Sequence, residues 1–154
     1  MNHHQPSDVS RTFRLTTSGR LQTRAWLPGC RPIPLTIAFR YDSRDPWAVC
    51  LVLNAGASGT VEWYFARDLL ASGLYRKAGL GDVQVQPESV AGAHVVRVTM
   101  KSRGGFLHVQ IPARDVLSFV RRTEAMVGFG TEYQHLPIDG IVRRLTDTDG
   151  RTLP

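Results

Sequence analysis

Along most of the chain, apolar and polar residues alternate in short runs separated by turn-forming residues. Residues 13–17 and 21–26 alternate with period two, as a strand with one wet face should. Pro28, Pro32 and Pro34 then interrupt the pattern, because each proline removes a ladder donor. Further strands are predicted at 35–41, 47–53 and 60–65, joined by the turn-rich stretches 42–46 and 54–59. A short helix at 66–72, stopped by Gly73, leads to strands at 82–86, 94–101 and 106–111. The last two are joined through residues 102–105 as a hairpin. Pro112 suits the first turn of a longer helix in which Val116, Phe119, Val120, Thr123 and Val127 share one face, ending at Gly128–Gly130. A final helix is predicted at 139–145. Its Ile138, Ile141, Val142 and Leu145 are expected to face inward, and Arg143 and Arg144 lie near its C-terminus, where the macrodipole favours cations.

Two stretches share the pattern Ala-Arg-Asp-apolar-Leu: Ala66 to Leu70 and Ala113 to Leu117, each after a predicted strand and opening a helix. The placement has a physical logic. Asp68 and Asp115 put a negative charge in a first helical turn, Arg67 and Arg114 are expected to stay in water, and the leucines dock on the sheet. The chain therefore reads as α+β, with two antiparallel sheet-plus-helix repeats packed together. Repeat one covers about 11–73 and repeat two about 82–127. A C-terminal helix at about 139–145 completes a single domain over 11–146, flanked by a disordered tail at 1–10 and a second tail at 147–154.

Length and composition narrow the class. A chain of 154 residues with 42% hydrophobic content closes one ordinary core. No run is apolar enough to span a membrane, and residues 1–11 are polar where a signal peptide would be apolar, so a cytoplasmic address is expected. Cys30 and Cys50 stand alone and are expected as reduced thiols, Cys50 within a buried strand. The net charge of +6 sets 17 arginines and two lysines against 13 acidic residues, and the arginines are dispersed along the chain. Such a surface fits an acidic protein, an anionic membrane or nucleic acid. It also fits a chain whose arginines are simply solvated. Arg121, Arg122, Arg143 and Arg144 are the candidate partner contacts.

Catalytic patterns are missing from the sequence. Gly56, Ser58 and Gly59 fall one residue short of a nucleophile elbow, and no zinc helix, Walker loop or C-x-x-C pair occurs. Gly79 and Gly81 precede a strand, whereas a dinucleotide fingerprint follows one. Asp42 and Asp45 read as turn residues, His3 and His4 as tail residues, and His94, His108 and His135 are far apart with no nucleophile beside them. No enzyme activity, cofactor or metal is expected. Trp47, Trp63 and Phe106 are the aromatics that would stack on bases in a single-strand binder. The bulky run Glu62 to Phe65 reads instead as a strand buried on both sides, with Trp63 and Trp47 in the core.

Several stretches carry a family likeness. Residues 39–49, 60–70, 73–74 and 81–85, with Ser118-Phe119, Arg122 to Glu124 and Gly130 to Glu132, closely resemble the SsgA-like proteins of sporulation-specific cell division in mycelial actinobacteria. The likeness runs from about Phe13 to Leu145. Its densest block, Val61 to Leu70, contains Trp63, Phe65, Arg67, Asp68, Leu69 and Leu70, with Arg114 and Asp115 in the second copy. The resemblance implies a whirly-like fold, a homotrimer, and a non-enzymatic role in septum or spore-wall formation. Implied partners are division or cell-wall proteins such as the tubulin-like ring protein FtsZ or septal membrane proteins, with recruitment to division septa. A longer N-terminal region at 18–31 and the basic balance depart from the family pattern. Single-stranded nucleic-acid binding is the alternative that the whirly-like fold implies.

Overall fold

The computed structural model describes residues 14–16, 21–136 and 138–147, and the backbone alone of 14–16, 139–141 and 147. The tail expected at 1–10, with His3 and His4, lies outside the described residues, as does the tail expected at 147–154 apart from Asp147, which ends a helix. The strands are β1 (Arg14–Thr16), β2 (Leu21–Trp26), β3 (Ile33–Asp42), β4 (Ala48–Asn54), β5 (Thr60–Ala66), β6 (Val83–Val90), β7 (Ala93–Ser102) and β8 (Gly105–Pro112). The helices are α1 (Arg67–Ser72), α2 (Ala113–Met126) and α3 (Ile138–Asp147). Two single 3-10 turns, Gly56–Ser58 and Glu132–His135, were not foreseen from the sequence.

All strands join one curled antiparallel sheet in the order β5-β4-β3-β2-β8-β7-β6, with β1 beside β3. β2 and β1 share the same side of β3, one pairing with each half of it. The meander and the hairpin meet at a narrow seam where Ala25 faces Val109 and Trp26 faces His108. The Thr23 hydroxyl reinforces it by donating to the Gln110 carbonyl at 2.6 Å, and the Trp26 and His108 rings stack with centroids 5.4 Å apart.

The period-two pattern decides which face is buried. Leu35, Ile37, Phe39 and Tyr41 of β3 point to one side, with Val49, Leu51 and Leu53 of β4, Val96, Val98 and Met100 of β7, and Val109 and Ile111 of β8. Against this face lies α2, whose Val116, Phe119, Val120 and Thr123 are buried together with Val127, the face read from helical spacing. Phe119 stacks on Phe39 at 4.9 Å between centroids, so the second helix seals the first meander. Burying one such side chain contributes about 1.5–3 kcal/mol.

Several expectations need correction. Strand β3 begins at Ile33 and takes in Pro34, opposite Arg24, where the prolines had been expected to end the ladder. Gly73 does follow the last residue of α1, as expected, with φ −65°. It is required because a Cβ there would collide with the Val85 side chain, the contact that brings α1 onto β6. β5 is an edge strand and is not buried on both sides: Tyr64 is 63% exposed, and Trp63 is half-buried against the core. Trp47 is exposed rather than core, because the turn before β4 leaves it outside the sheet. The stripe of α3 does not face inward either, since Ile138, Val142 and Leu145 are 50%, 51% and 68% exposed.

Candidate functional site

Of the residues singled out in the sequence, Arg67 departs furthest from expectation. It opens α1 immediately after β5, and its backbone N–H donates to the Trp47 carbonyl at 2.6 Å, tying the strand-to-helix corner to the start of β4. The side chain does not stay in water; it is 1% exposed. Its Nη1 donates to the carbonyls of Val127 at 2.6 Å and Thr123 at 3.2 Å. These carbonyls lie at the C-terminal end of α2, the negative end of the helix dipole, and the Thr123 carbonyl also accepts the Val127 N–H at 2.9 Å. Nη2 pairs with Glu132 Oε1 at 2.6 Å, and the guanidinium lies over the ring of Phe129 at 4.1 Å and that of Tyr41 at 5.2 Å. A planar, always charged donor group satisfies two carbonyls and a carboxylate at once while its faces rest on aromatic rings.

The clamp explains neighbouring chemistry. Glu132 titrates below the ordinary carboxylate range, first because its own backbone N–H donates to the carboxylate and then because Arg67 does; burial opposes both. Burial pushes the Tyr41 phenol up to about 12, and its hydroxyl donates to the Pro46 carbonyl at 3.0 Å. Glu132 sits in the Gly130 to Glu132 stretch of the family likeness, but nothing in the sequence joins it to Arg67, 65 residues earlier. The signal was there in a weak form, since an acidic and a basic residue both fell within family stretches.

On the opposite face of the sheet, Arg40, Cys50 and Tyr64 line up across β3, β4 and β5. Arg40 pairs with Glu62 and its Nη2 lies 3.5 Å from Cys50 Sγ; Tyr64 donates to Glu62 Oε2 at 3.0 Å, which raises the pKa of the phenol. Together with Asp42, Asp45 and Ala48 they line a hollow of about 180 Å³. The thiol faces a guanidinium, which has no acceptor capacity and takes no proton from it, so this is no nucleophile–base pair. Asp42 and Asp45 form the turn expected of them, with the Asp45 N–H donating to the Asp42 carbonyl at 3.0 Å and the Arg44 N–H to Asp42 Oδ1 at 3.0 Å. Further along this face, Arg97 pairs with Glu88 at 2.5 Å. His108 titrates below its usual range because of burial and, secondarily, Arg97. Among the described residues, no three His, Cys, Asp or Glu side chains gather to hold a metal ion.

The remaining sequence candidates separate. Phe65 and Leu70 are in the core with Trp63 and Leu69 packed against it, and Asp68 and Asp115 occupy first helical turns. Arg114, at the matching position to Arg67, is exposed. Arg121 and Arg122 are exposed on α2, and Arg143 and Arg144 are exposed on the separate α3. No helix among the described residues is long and apolar enough to cross a membrane.

Comparison with known proteins places this architecture. Residues 35–132 match the family described as Streptomyces sporulation and cell division protein, SsgA. The chain is 43% identical over 124 residues to the sporulation-specific cell division protein SsgB of Streptomyces coelicolor, covering 80% of this chain and 90% of that one. It is 36% identical over 136 residues to SsgB of Salinispora tropica, covering 87% and 92% of the two chains. A solved structure described in connection with SsgB mutations and longitudinal cell division in Streptomyces coelicolor superposes with a TM-score of 0.72 at 42% identity, over 80% of this chain and 97% of that one. An SsgA-like sporulation-specific cell division protein from Thermobifida fusca superposes with a TM-score of 0.77 at 27% identity, over 88% and 97%. Sequence match, fold match and the residues of the Val61 to Leu70 block agree: the chain belongs to the SsgA family of sporulation and cell division proteins.

Proposed function

We propose that the chain is a non-enzymatic adaptor of sporulation-specific cell division, a homotrimer that recruits or positions division or cell-wall proteins at the septum. The observation that carries this reading is the match to sporulation-specific cell division proteins over 80% of the chain, in sequence and in fold. Two strand-then-helix halves joined at one seam are what a whirly-like pair of repeats calls for. Exposed Arg121, Arg122, Arg143 and Arg144 on a chain of net charge +6 suit an acidic partner surface, and FtsZ or a septal membrane protein is the partner class the family resemblance implies.

The test is titration of the purified protein with FtsZ over a range of salt, alongside a single-stranded oligonucleotide and paired alanine variants at Arg121/Arg122 and Arg143/Arg144. Saturable FtsZ binding that weakens with salt and with either arginine pair is the expected result. Unchanged affinity in both variants would remove the arginines from the interface. Binding to the oligonucleotide alone would overturn the adaptor reading.

A further inference from the structure

We propose that the Arg67–Glu132 pair is the latch of a C-terminal arm: it holds the turn at Glu132–His135 and α3 against the body, and breaking it lets that arm open while the sheet and α2 stay folded.

The arm begins where burial ends. Glu132 is the last buried side chain among the described residues. Beyond it Tyr133, Gln134 and His135 are exposed, Leu136 is half-buried, and Ile138, Val142 and Leu145 of α3 are at least half exposed. α3 has ten residues and contains Gly140. A helix of that length is marginal on its own, so its order depends on what fixes the chain leading into it.

That leading segment is built as a joint. Gly130 has φ +85°, in the left-handed region, and the Gly128 carbonyl accepts both the Thr131 N–H at 3.1 Å and the Thr131 hydroxyl at 2.8 Å. These bonds close the loop on itself, and Arg67 ties it to the body. One guanidinium holds Val127 at the near end of the loop and Glu132 at the far end, each at 2.6 Å, with the Phe129 ring beneath it. Arg67 is itself fixed to the sheet, because its N–H donates to the Trp47 carbonyl. The matching arginine, Arg114, instead borders an apolar groove of about 700 Å³ with Leu74, Tyr75 and Leu117. The clamp therefore has two separable halves. Losing the Glu132 carboxylate leaves Arg67 its carbonyls on α2, so the body keeps its half while the arm loses its own. Segments held by few buried contacts open locally, below the cost of global unfolding. The arm carries Arg143 and Arg144, so the latch also fixes where those two cations are presented.

Hydrogen exchange read by mass spectrometry on the full-length protein at one pH tests this with E132A and E132Q. Amides of residues 133–147 should exchange at least about tenfold faster in E132A than in the parent, while those of β7, β8 and α2 keep the parent's rates. E132Q retains an oxygen that accepts from Nη2 but loses the charge, so a smaller acceleration of the same amides is expected. It carries the comparison if E132A fails to fold. E124Q, exposed on α2, should match the parent throughout. Acceleration shared equally by β7 and β8 would overturn the proposal, since the pair would then support the whole core. An arm that exchanges at the parent's rate in both variants would overturn it as well, because something other than Glu132 would then set its order. The measurement involves no partner, so its outcome is separate from the adaptor reading, which the FtsZ titration judges.

Discussion

The strand-to-helix corners at Ala66 and Ala113 carry the same Ala-Arg-Asp triplet, and the fold treats them in opposite ways. Asp68 and Asp115 play the same part, each a negative charge in a first helical turn. The arginines do not. Arg67 is buried among Tyr41, Phe129, Glu132 and the last carbonyls of α2, whereas Arg114 is exposed at the lip of the apolar groove. What separates them is what lies opposite: the C-terminal end of α2 and Glu132 receive the first arginine, whereas the second stands at the edge of the groove with Leu74 and Tyr75. A local pattern sets the backbone corner and the helix start; the destination of a long flexible side chain is set by elements distant in sequence.

The largest break in this comparison should come from R67A. It leaves the Glu132 carboxylate and the Val127 carbonyl without the guanidinium in a buried site, a loss of about 3–5 kcal/mol, measurable by chemical denaturation. R67K should recover only a minor part, since an ammonium lacks the planar fork that reaches two carbonyls and a carboxylate together. Next is acid sensitivity. Because the Glu132 pKa is lowered in the folded protein, its contribution is present above the unfolded carboxylate value and is lost as pH falls through the folded value. Urea midpoints measured downward from pH 6 should therefore fall more steeply for the parent than for E132Q; parallel curves would show that the pair does not act in this way. F129L keeps the apolar bulk but removes the ring under the guanidinium, with an expected cost of about 0.5–2 kcal/mol by the same denaturation assay. The smallest effect belongs to R114A, within about 0.5 kcal/mol of the parent. Equal losses from R67A and R114A would erase the distinction.

Much of the architecture was legible because it rests on short-range rules. Period-two alternation located the strands within a few residues, turn chemistry at Asp42 and Asn54 located the corners, and helical spacing named the buried face of α2, from Val116 to Val127. Errors fell where the outcome depends on a distant neighbour. Trp47 and Tyr64 look like core residues by composition, yet Tyr64 is exposed because β5 is an edge strand, which depends on strand order, and Trp47 because it lies in the turn before β4. The stripe of α3 has the spacing of an inward face, yet Ile138, Val142 and Leu145 are exposed. Gly73 ends α1 as expected, but the reason it must be glycine, the close approach of α1 to Val85, comes from a neighbour distant in sequence.

By itself the sequence determined the α+β class, the two strand-then-helix units and the dispersed positive charge, since periodicity, capping and composition are properties of neighbouring residues, and the Val61 to Leu70 block carried the family likeness. Tertiary structure alone decided that Arg67 meets Glu132, that Cys50 faces Arg40 across two strands, and that Ile138, Val142 and Leu145 of α3 are exposed. Those pairings join residues separated by up to 65 positions, and only the packing of sheet and helices fixes which long side chains can reach one another.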